Sequence, residues 1–476
     1  MRCLIAVTTA ATLILVDAMP SGARSSQAKQ KLPAFAPDEI VVGYQPGTSE
    51  WARQYVRRVV DASGYRATPT LDVIELRPGT TVRAALGQVP AIPQVSFAEP
   101  NYLVTAEEEP NDPMYLDAWS LGPSNSSGIR SGIDTPSAWN LTTGAEQISV
   151  GIVDSGIHLG HPDLVANIWE NGGETGPVQS SNGVDDDGNG YVDDWHGWDW
   201  IDLDNDPADM AGHGTMVAGT VGASGNNGVG ASGVSWRSKL IPLRVLNDQG
   251  IGFTSDAASA FSYAASAGAE VVNASLTSTF PSIAMLGAIT TSSDTLFVVA
   301  AGNNSTNNDL DPKYPCNFEL PNVLCVAATD ESNSLAGFSN YGSVSVDIAA
   351  PGTAILTTHP DGYVNFYGTS AASPHVAGVA ALLWARHPDA SVATISQAIM
   401  NGAESLPALH GKTVSGGRLN AAGALRQLGD YVPYDRGTDR DQQRLTGDKD
   451  DETKKRRCRR PRHKRNRHRA RRCRRR

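Results

Sequence analysis

The chain has 476 residues, 40% of them hydrophobic and 19% charged, with 47 Gly and 28 Pro; it exceeds a single domain of about 100–200 residues and is too apolar for global disorder. The net charge of −11 is unevenly spread, because residues 454–476 hold 16 of the 39 Lys+Arg and no acid, leaving 23 basic against 50 acidic residues, or −27, on positions 1–453. Five Cys without a C-x-x-C pair argue against a zinc ribbon or a thioredoxin-type redox centre.

In chain order, Arg2 precedes an apolar stretch from Cys3 to Val16, followed by Asp17, Ala18, Pro20 and Gly22. That is the order of a secretory signal, and the stretch is shorter than the roughly 20 apolar residues of a membrane span. Residues 1–24 are therefore read as a signal peptide, with cleavage between Ala18 and Arg24 and an extracellular destination; an uncleaved anchor is the alternative. A secreted fate permits disulfides, and Cys316 and Cys325, nine positions apart, form a candidate pair, with two unpaired buried thiols as the alternative.

From Pro37 to Tyr102 strand-like EIVVGY, DVIELR and QVSFAEPNYLV alternate with helical SEWARQYVRRVV and TVRAALGQV, which predicts a small α+β unit. The acidic, proline-bearing AEEEPNDP, residues 106–113, reads as an exposed linker, with the boundary at about residue 110. Between Gln147 and about Leu428, apolar runs (ISVGIVD, LIPLRVL, EVVNASL, LFVVAA, VSVDIAA) alternate with Ala-rich helical stretches. This βαβ rhythm predicts an α/β domain, residues 111–430, with a mainly parallel central sheet between helices. Such sheets place their sites at the carboxyl ends of strands. Residues 431–476 turn polar and then Arg-rich without periodicity, and are expected to be disordered.

Three motifs carry reactive side chains. ISVGIVDSGI ends a strand at Asp154; GHGTMVAGT puts His213 before a run of small residues; YGTSAASPHVAGVAALL puts Ser370 just before a helix, with Pro374 expected in its first turn. Singly, these read as a strand-end turn residue, a core histidine and a helix cap. Together they supply what nucleophilic acyl transfer requires: a Ser that is weak until a base takes its proton, a His for that base, and a carboxylate to fix the imidazole tautomer.

The order Asp, His, Ser, and above all the segment GTSAASPHVAG, resemble the subtilisin-like serine proteases (subtilases) from about Asn111 to Leu428. The resemblance implies the family's three-layer fold and a serine endopeptidase acting on proteins or peptides. Asp154 would orient His213, His213 would act as general base and then acid, and Ser370 would form an acyl-enzyme that water hydrolyses. FVVAAGNN, residues 297–304, ends an apolar strand at Gly302 and Asn303, and the family motif assigns Asn303 to the oxyanion beside the Ser370 N–H. Ser275, Leu276 and Thr277 resemble one wall of a substrate cleft, Gly250, Ile251 and Gly252 the other, with Gly302 in the same cleft. The chain departs from the family at Thr277 and Ser278, where two glycines are common, and at Ala371, where bacterial subtilisins often carry Met.

Calcium is the expected cofactor, in structural roles. In NGVDDDGNGYVDD, residues 182–194, Asp185, Asp187, Asn189 and Asp193 follow the spacing of an EF-hand loop, whose twelfth position holds His196 instead of an acid. A solvated acidic turn is the alternative. Asp199, Asp202, Asp204 and Asp206 resemble the calcium loop before the His motif in thermitase-like subtilases, and Asp112, Asp163 and Asn227 match ligands of the family's tight site.

Residues 25–110 resemble an inhibitory subtilase propeptide, implying a zymogen that cuts itself between residues 103 and 111. The Arg-rich end, with Cys458 and Cys473, suits a polyanion or an anionic surface; a solvated tail is the alternative. A monomer is expected. The rival reading is a catalytically weak subtilase-fold protein that binds polyanions through this tail.

Overall fold

A computed structural model describes residues 35–89, 92–102, 109–123, 131–174 and 181–429. The signal-like segment, residues 103–108 with most of the expected cleavage region, and the tail with Cys458 and Cys473 lie outside the described residues. The chain divides into two compact units between Thr105 and Ala106.

The first unit runs β1 (Phe35–Tyr44), α1 (Glu50–Val59), β2 (Ala62–Ala67), β3 (Leu71–Leu76), α2 (Val82–Gln88) and β4 (Val95–Tyr102). Its strands form an antiparallel sheet in the order β2-β3-β1-β4. Ile40 pairs with Ile74 in register, and both bury against Val56 of α1 and Val82 of α2. Helix α1 starts where the Ser49 hydroxyl accepts from Ala52 N–H, and has Glu50 in its first turn and Arg57 and Arg58 in its last. All three suit the helix dipole. Strand β2, which carries no apolar alternation, was not foreseen from the sequence; Tyr65 and Arg66 pair with Ile74 and Val73.

The second unit begins with α3 (Thr135–Trp139), β5 (Ser149–Asp154), β6 (Trp198–Asp199), α4 (His213–Gly222), β7 (Lys239–Arg244), α5 (Thr254–Ser266), β8 (Val271–Ala274), α6 (Ile283–Thr291) and β9 (Leu296–Ala300). It continues through β10 (Val323–Thr329), β11 (Ile348–Pro351), β12 (Ile355–His359), β13 (Gly362–Phe366), α7 (Thr369–Arg386), α8 (Val392–Gly402), β14 (Glu404–Ser405), β15 (Gly417–Arg418) and α9 (Ala421–Gln427). The nine-stranded sheet has the order β14-β15-β11-β10-β9-β8-β5-β7-β6. It is parallel throughout except for the β14–β15 edge pair.

Because successive strand residues point to opposite faces, each strand feeds two cores. Val150, Ile152 and Val298 pack with α4, α7 and α8, whereas Val153, Val272 and Val299 pack with Phe261 of α5 and Ile289 of α6. That gives the predicted three layers, with strands that read as continuous apolar runs because both faces are covered. The neighbours β9-β8-β5-β7 end side by side, and Asn303, Ser275, Asp154 and Gly250 all lie at or beyond their carboxyl ends.

Candidate active site

Asp154 closes β5 and is fully buried. Its carbonyl accepts from the N–H groups of Val245 and Leu246 at 2.8 and 3.1 Å, which fixes the strand end. Its Oδ1 accepts from Ser155 N–H at 2.8 Å and from His213 Nδ1 at 2.6 Å. His213 is the first residue of α4, and its ring meets Phe366 edge-on. Gly212, which caps α4, has φ +86°, and a Cβ there would come within 2.8 Å of His359 Nε2, so only glycine fits. Burial would push the His213 imidazolium down, but the Asp154 charge and hydrogen bond, with Asp209 behind, outweigh it and hold the pKa above the ordinary 6.5.

Ser370 is the second residue of α7, which Gly368 caps, so it sits inside the helix and not before it. Pro374 likewise lies inside the helix and not in its first turn. A proline there cannot donate to the carbonyl four residues back, which is that of Ser370. The Ser275 hydroxyl donates to that carbonyl at 3.1 Å; it also contacts Ser373 Oγ at 2.9 Å and accepts from Asn273 Nδ2 at 2.9 Å. The Ser370 hydroxyl itself donates to the Ser275 carbonyl at 3.2 Å. The Ser370 N–H is among the first four of the helix, which have no intrahelical acceptor and lie at the positive end of its dipole.

Asn303 is set against that helix start. Its Oδ1 accepts from Thr369 N–H at 2.8 Å and Thr369 Oγ1 at 3.0 Å, so Nδ2 is the group it offers to the cleft that it lines with Ser370 and His213. The loop behind it rests on two buried amides that the sequence reading missed. Asn340 Oδ1 accepts from Asn304 and Thr306 N–H (2.8 and 3.1 Å), and its Nδ2 donates to Ala301 O and Asn308 Oδ1 (3.1 and 3.0 Å). Gly302, at φ +109°, packs so closely that a Cβ would sit 2.6 Å from Asn340 Nδ2.

These side chains open on a cleft of about 610 Å³. Gly250, Ile251, Gly252 and Phe253 line one side, and Ser275, Leu276, Thr277 and Ser278 the other. Ser278 is bridged to Tyr314 by two backbone hydrogen bonds, 2.7 and 2.8 Å. Gly302 stands behind Asn303, with its N–H bonded to Thr369 Oγ1 at 3.1 Å. Below Tyr314, Cys316 and Cys325 form a disulfide, and Asn308 Nδ2 contacts Cys316 Sγ at 3.3 Å.

Asp112, Asp163 and Asn227 come together. Asn227 N–H bonds Asp112 Oδ1 at 3.1 Å, and Asn227 Nδ2 bonds Asp163 Oδ1 at 2.8 Å. Burial raises the Asp163 carboxyl, hydrogen bonds from Asn227, Tyr363 and Ala231 partly relieve it, and the Asp112 charge adds to the rise.

In the 182–194 loop the carboxylates divide. Asp185 accepts from the N–H groups of Gly188, Asn189 and Gly190, and Asp193 from those of Asn182 and Gly183. The oxygens that converge, within 4.8 Å of one another, belong to Glu174, Asp187 and Asp194, with Asn189 Nδ2 bonded to Asp194 at 2.9 Å. Glu174 and Asp194 are fully buried, and Glu174 Oε2 has no hydrogen-bond partner among the described residues. Neither was singled out from the sequence: Glu174 lies outside the loop motif, and Asp194, its last residue, is off the EF-hand spacing.

The cluster at 199–206, expected from the sequence to resemble a calcium loop, has two of its acids paired with a protein cation. The Arg244 guanidinium binds Asp199, and Asp202 at 2.7 Å, so the strand after the loop supplies a cation of its own. Asp204 Oδ1 accepts from Asp206 N–H at 3.1 Å.

Comparison with known proteins agrees with this architecture. The model of the subtilase family matches residues 145–440, and that of the fervidolysin N-terminal prodomain matches residues 21–101. The chain is 33% identical over 358 residues to a thermophilic serine proteinase of Bacillus sp. (strain AK1), covering 74% of this chain and 78% of that protein. It is 34% identical over 319 residues to thermitase of Thermoactinomyces vulgaris, covering 67% and 99%. Among solved structures, a protease of Pseudoalteromonas arctica PAMC 21717 superimposes with a TM-score of 0.55 at 32% identity, covering 67% of this chain and 99% of that one.

Proposed function

For a chain that belongs to the subtilase family, and is therefore a serine endopeptidase carrying an N-terminal prodomain, we propose that Asp154, His213 and Ser370 form its catalytic triad and Asn303 its oxyanion donor. The observation that carries this is the 2.6 Å bond from His213 Nδ1 to the buried Asp154, on a cleft that Ser370 and Asn303 also line.

In this mechanism a peptide enters along Gly250–Gly252 and Ser275–Thr277, pairing through groups that every residue has. His213 Nε2 takes the Ser370 hydroxyl proton as Oγ attacks the scissile carbonyl; this requires the hydroxyl to turn from the Ser275 carbonyl toward the imidazole. The oxyanion receives the Ser370 N–H and Asn303 Nδ2, the amide being held in place beforehand by Thr369. His213 then gives its proton to the leaving amine, and water repeats the sequence on the acyl-enzyme. A fluorophosphonate probe tests the assignment. Its adduct should map to Ser370 and vanish in His213→Ala; an adduct elsewhere, or one retained in that variant, contradicts it.

The remaining parts of the reading are proposals of the same kind. Calcium is held at Asp112, Asp163 and Asn227, and at Asp187 with Glu174 and Asp194; the partnerless buried Glu174 Oε2 fits a hard cation. Bound there, calcium supplies positive charge that neutralises adjacent acids and ties distant segments together. Residues 1–24 direct secretion, for which the Cys316–Cys325 disulfide is independent support, since such bonds persist in oxidising compartments. Residues 25–110 act as an intramolecular inhibitor removed by self-cleavage between residues 103 and 111, leaving a monomeric domain at 111–430. The basic 454–476 segment engages polyanions through charge.

A further inference from the structure

Asp209 lies four residues before His213 and outside every motif assigned above, yet its carboxylate is among the most heavily bonded groups in the chain. It is buried at 7% exposure. Oδ1 accepts from Ser155 Oγ at 2.8 Å, Ala211 N–H at 3.0 Å and Gly212 N–H at 2.8 Å. Oδ2 accepts from Thr215 N–H at 2.8 Å and Thr215 Oγ1 at 2.6 Å. Ser155 Oγ in turn accepts from Gly214 N–H at 2.9 Å, and Ser155 N–H bonds the Asp154 carboxylate at 2.8 Å. One carboxylate thus grips the residue that follows Asp154 and the residues on both sides of His213.

We propose that Asp209 is the positioning residue of the triad, locking the start of α4 to the end of β5 so that His213 and Asp154 are held at bonding distance before substrate arrives. The physical case is that two elements far apart in sequence meet here chiefly through this side-chain network, next to a single backbone bridge in which Ile157 N–H donates to the Pro207 carbonyl and Asp209 N–H to that of Ile157 (3.1 and 3.3 Å). The hydrogen-bonded ladder of β5 runs to β7 and β8 and does not reach α4, whose first turn is otherwise held from β12, by the Thr358 hydroxyl on the Thr215 carbonyl and the Thr357 hydroxyl on that of Met216, both at 2.8 Å. A helix start offers unpaired N–H groups, and the Asp209 carboxylate accepts three N–H groups around the start of α4, from Ala211, Gly212 and Thr215. A displacement of about 1 Å at a catalytic group costs on the order of 10²-fold in rate, so a tie of this kind bears directly on turnover.

Asp209 also acts on His213 through space. The elements packed against α4 carry Asp154 on β5, His359 on β12 beside Gly212, His375 and Arg386 on α7, and Lys239 and Arg244 on β7. His375 is kept neutral by burial, its pKa pushed down to about 4, and Arg244 is held by Asp199 and Asp202. Asp154 and Asp209 are the anions that raise His213.

This inference rests on the triad reading, and the experiment separates the two. Wild type, Asp209→Asn, Ser155→Ala and His213→Ala are compared as processed enzyme on a peptide substrate across pH, with circular dichroism and melting to count folded protein. Asp209→Asn should lower kcat per folded molecule about 10- to 100-fold with little change in KM, and move the acid limb of kcat/KM to lower pH, because one anion facing His213 is gone. Ser155→Ala keeps that charge but loses the tie, so kcat should fall with the limb unmoved; this variant decides the matter if Asp209→Asn does not fold. Wild-type kcat in both variants, or an unmoved limb in a folded Asp209→Asn, overturns the role of Asp209 alone. An active His213→Ala overturns the triad reading itself.

Discussion

The Ser275 hydroxyl donates to the carbonyl of Ser370 at 3.1 Å, the acceptor that Pro374 leaves without its helical donor. Proline inside a helix is ordinarily costly, about 3 kcal/mol or more, but here the orphaned carbonyl belongs to the residue proposed as nucleophile and is satisfied from the segment that follows β8. The arrangement couples the cleft wall after β8 to the start of α7. Ser275→Ala should leave that carbonyl unpaired and buried, lowering stability by about 1–3 kcal/mol and reducing kcat as the Ser370 backbone relaxes. Denaturant unfolding and steady-state kinetics check both effects, and a neutral variant would show that the bond is incidental.

Replacing Asn303 by Ala should remove a donor to the oxyanion while leaving the triad intact. The expected loss is about 10²- to 10³-fold in kcat with KM nearly unchanged, read on a chromogenic peptide. Gly302→Ala should produce a smaller version of the same defect, because its Cβ would displace the Asn340 amide that supports the loop.

Activity requires a neutral His213. Since Asp154 and Asp209 outweigh the effect of burial and hold its pKa above 6.5, the acid limb of kcat/KM should titrate above that pH, and activity should be lost on acidification sooner than a free imidazole would dictate. Asp154→Asn should remove most of the rise and most of the rate. A limb at or below 6.5 in the wild type would contradict the arrangement.

The Asp347 carboxyl is pushed up to about 6 by burial, relieved only by the Cys325 N–H. Its folded pKa lies above its unfolded one, so the ionised form is disfavoured in the native state. Its penalty is absent below about pH 4, grows between about pH 4 and 6, and is complete above about 6. Asp347→Asn should therefore raise stability at pH 8, on the order of 2 kcal/mol, and change little at pH 4; thermal melts at the two values test the sign.

How much of this was visible in the sequence depends on how local the signal is. The three layers and the Asp154, His213 and Ser370 positions were legible because continuous apolar runs and short motifs are written within ten or twenty residues. The supports were not. Asn340 holds Ala301, Asn304 and Thr306 from nearly forty residues away, and Asp209 reaches back to Ser155. Arg244 neutralises Asp199 and Asp202 across forty residues, and nothing in the acidic run itself announces it. Pro374 was misplaced because it reads as a helix starter, whereas its missing N–H is compensated by Ser275, a partner that only the fold brings near.

Chelation should lower the melting temperature, and Glu174→Gln should shrink the difference between melts with calcium and with EDTA, since it removes one of three converging charges. Equal melting temperatures in calcium and EDTA would count against any structural cation.

The most direct measurement compares the full-length chain with its Ser370→Ala variant, both expressed with calcium, by gel, N-terminal sequencing and peptide hydrolysis. The account predicts cleavage between residues 103 and 111 and turnover in the wild type, and an intact, inactive Ser370→Ala protein. A Ser370→Ala chain that processes itself and hydrolyses peptide like the wild type would contradict it.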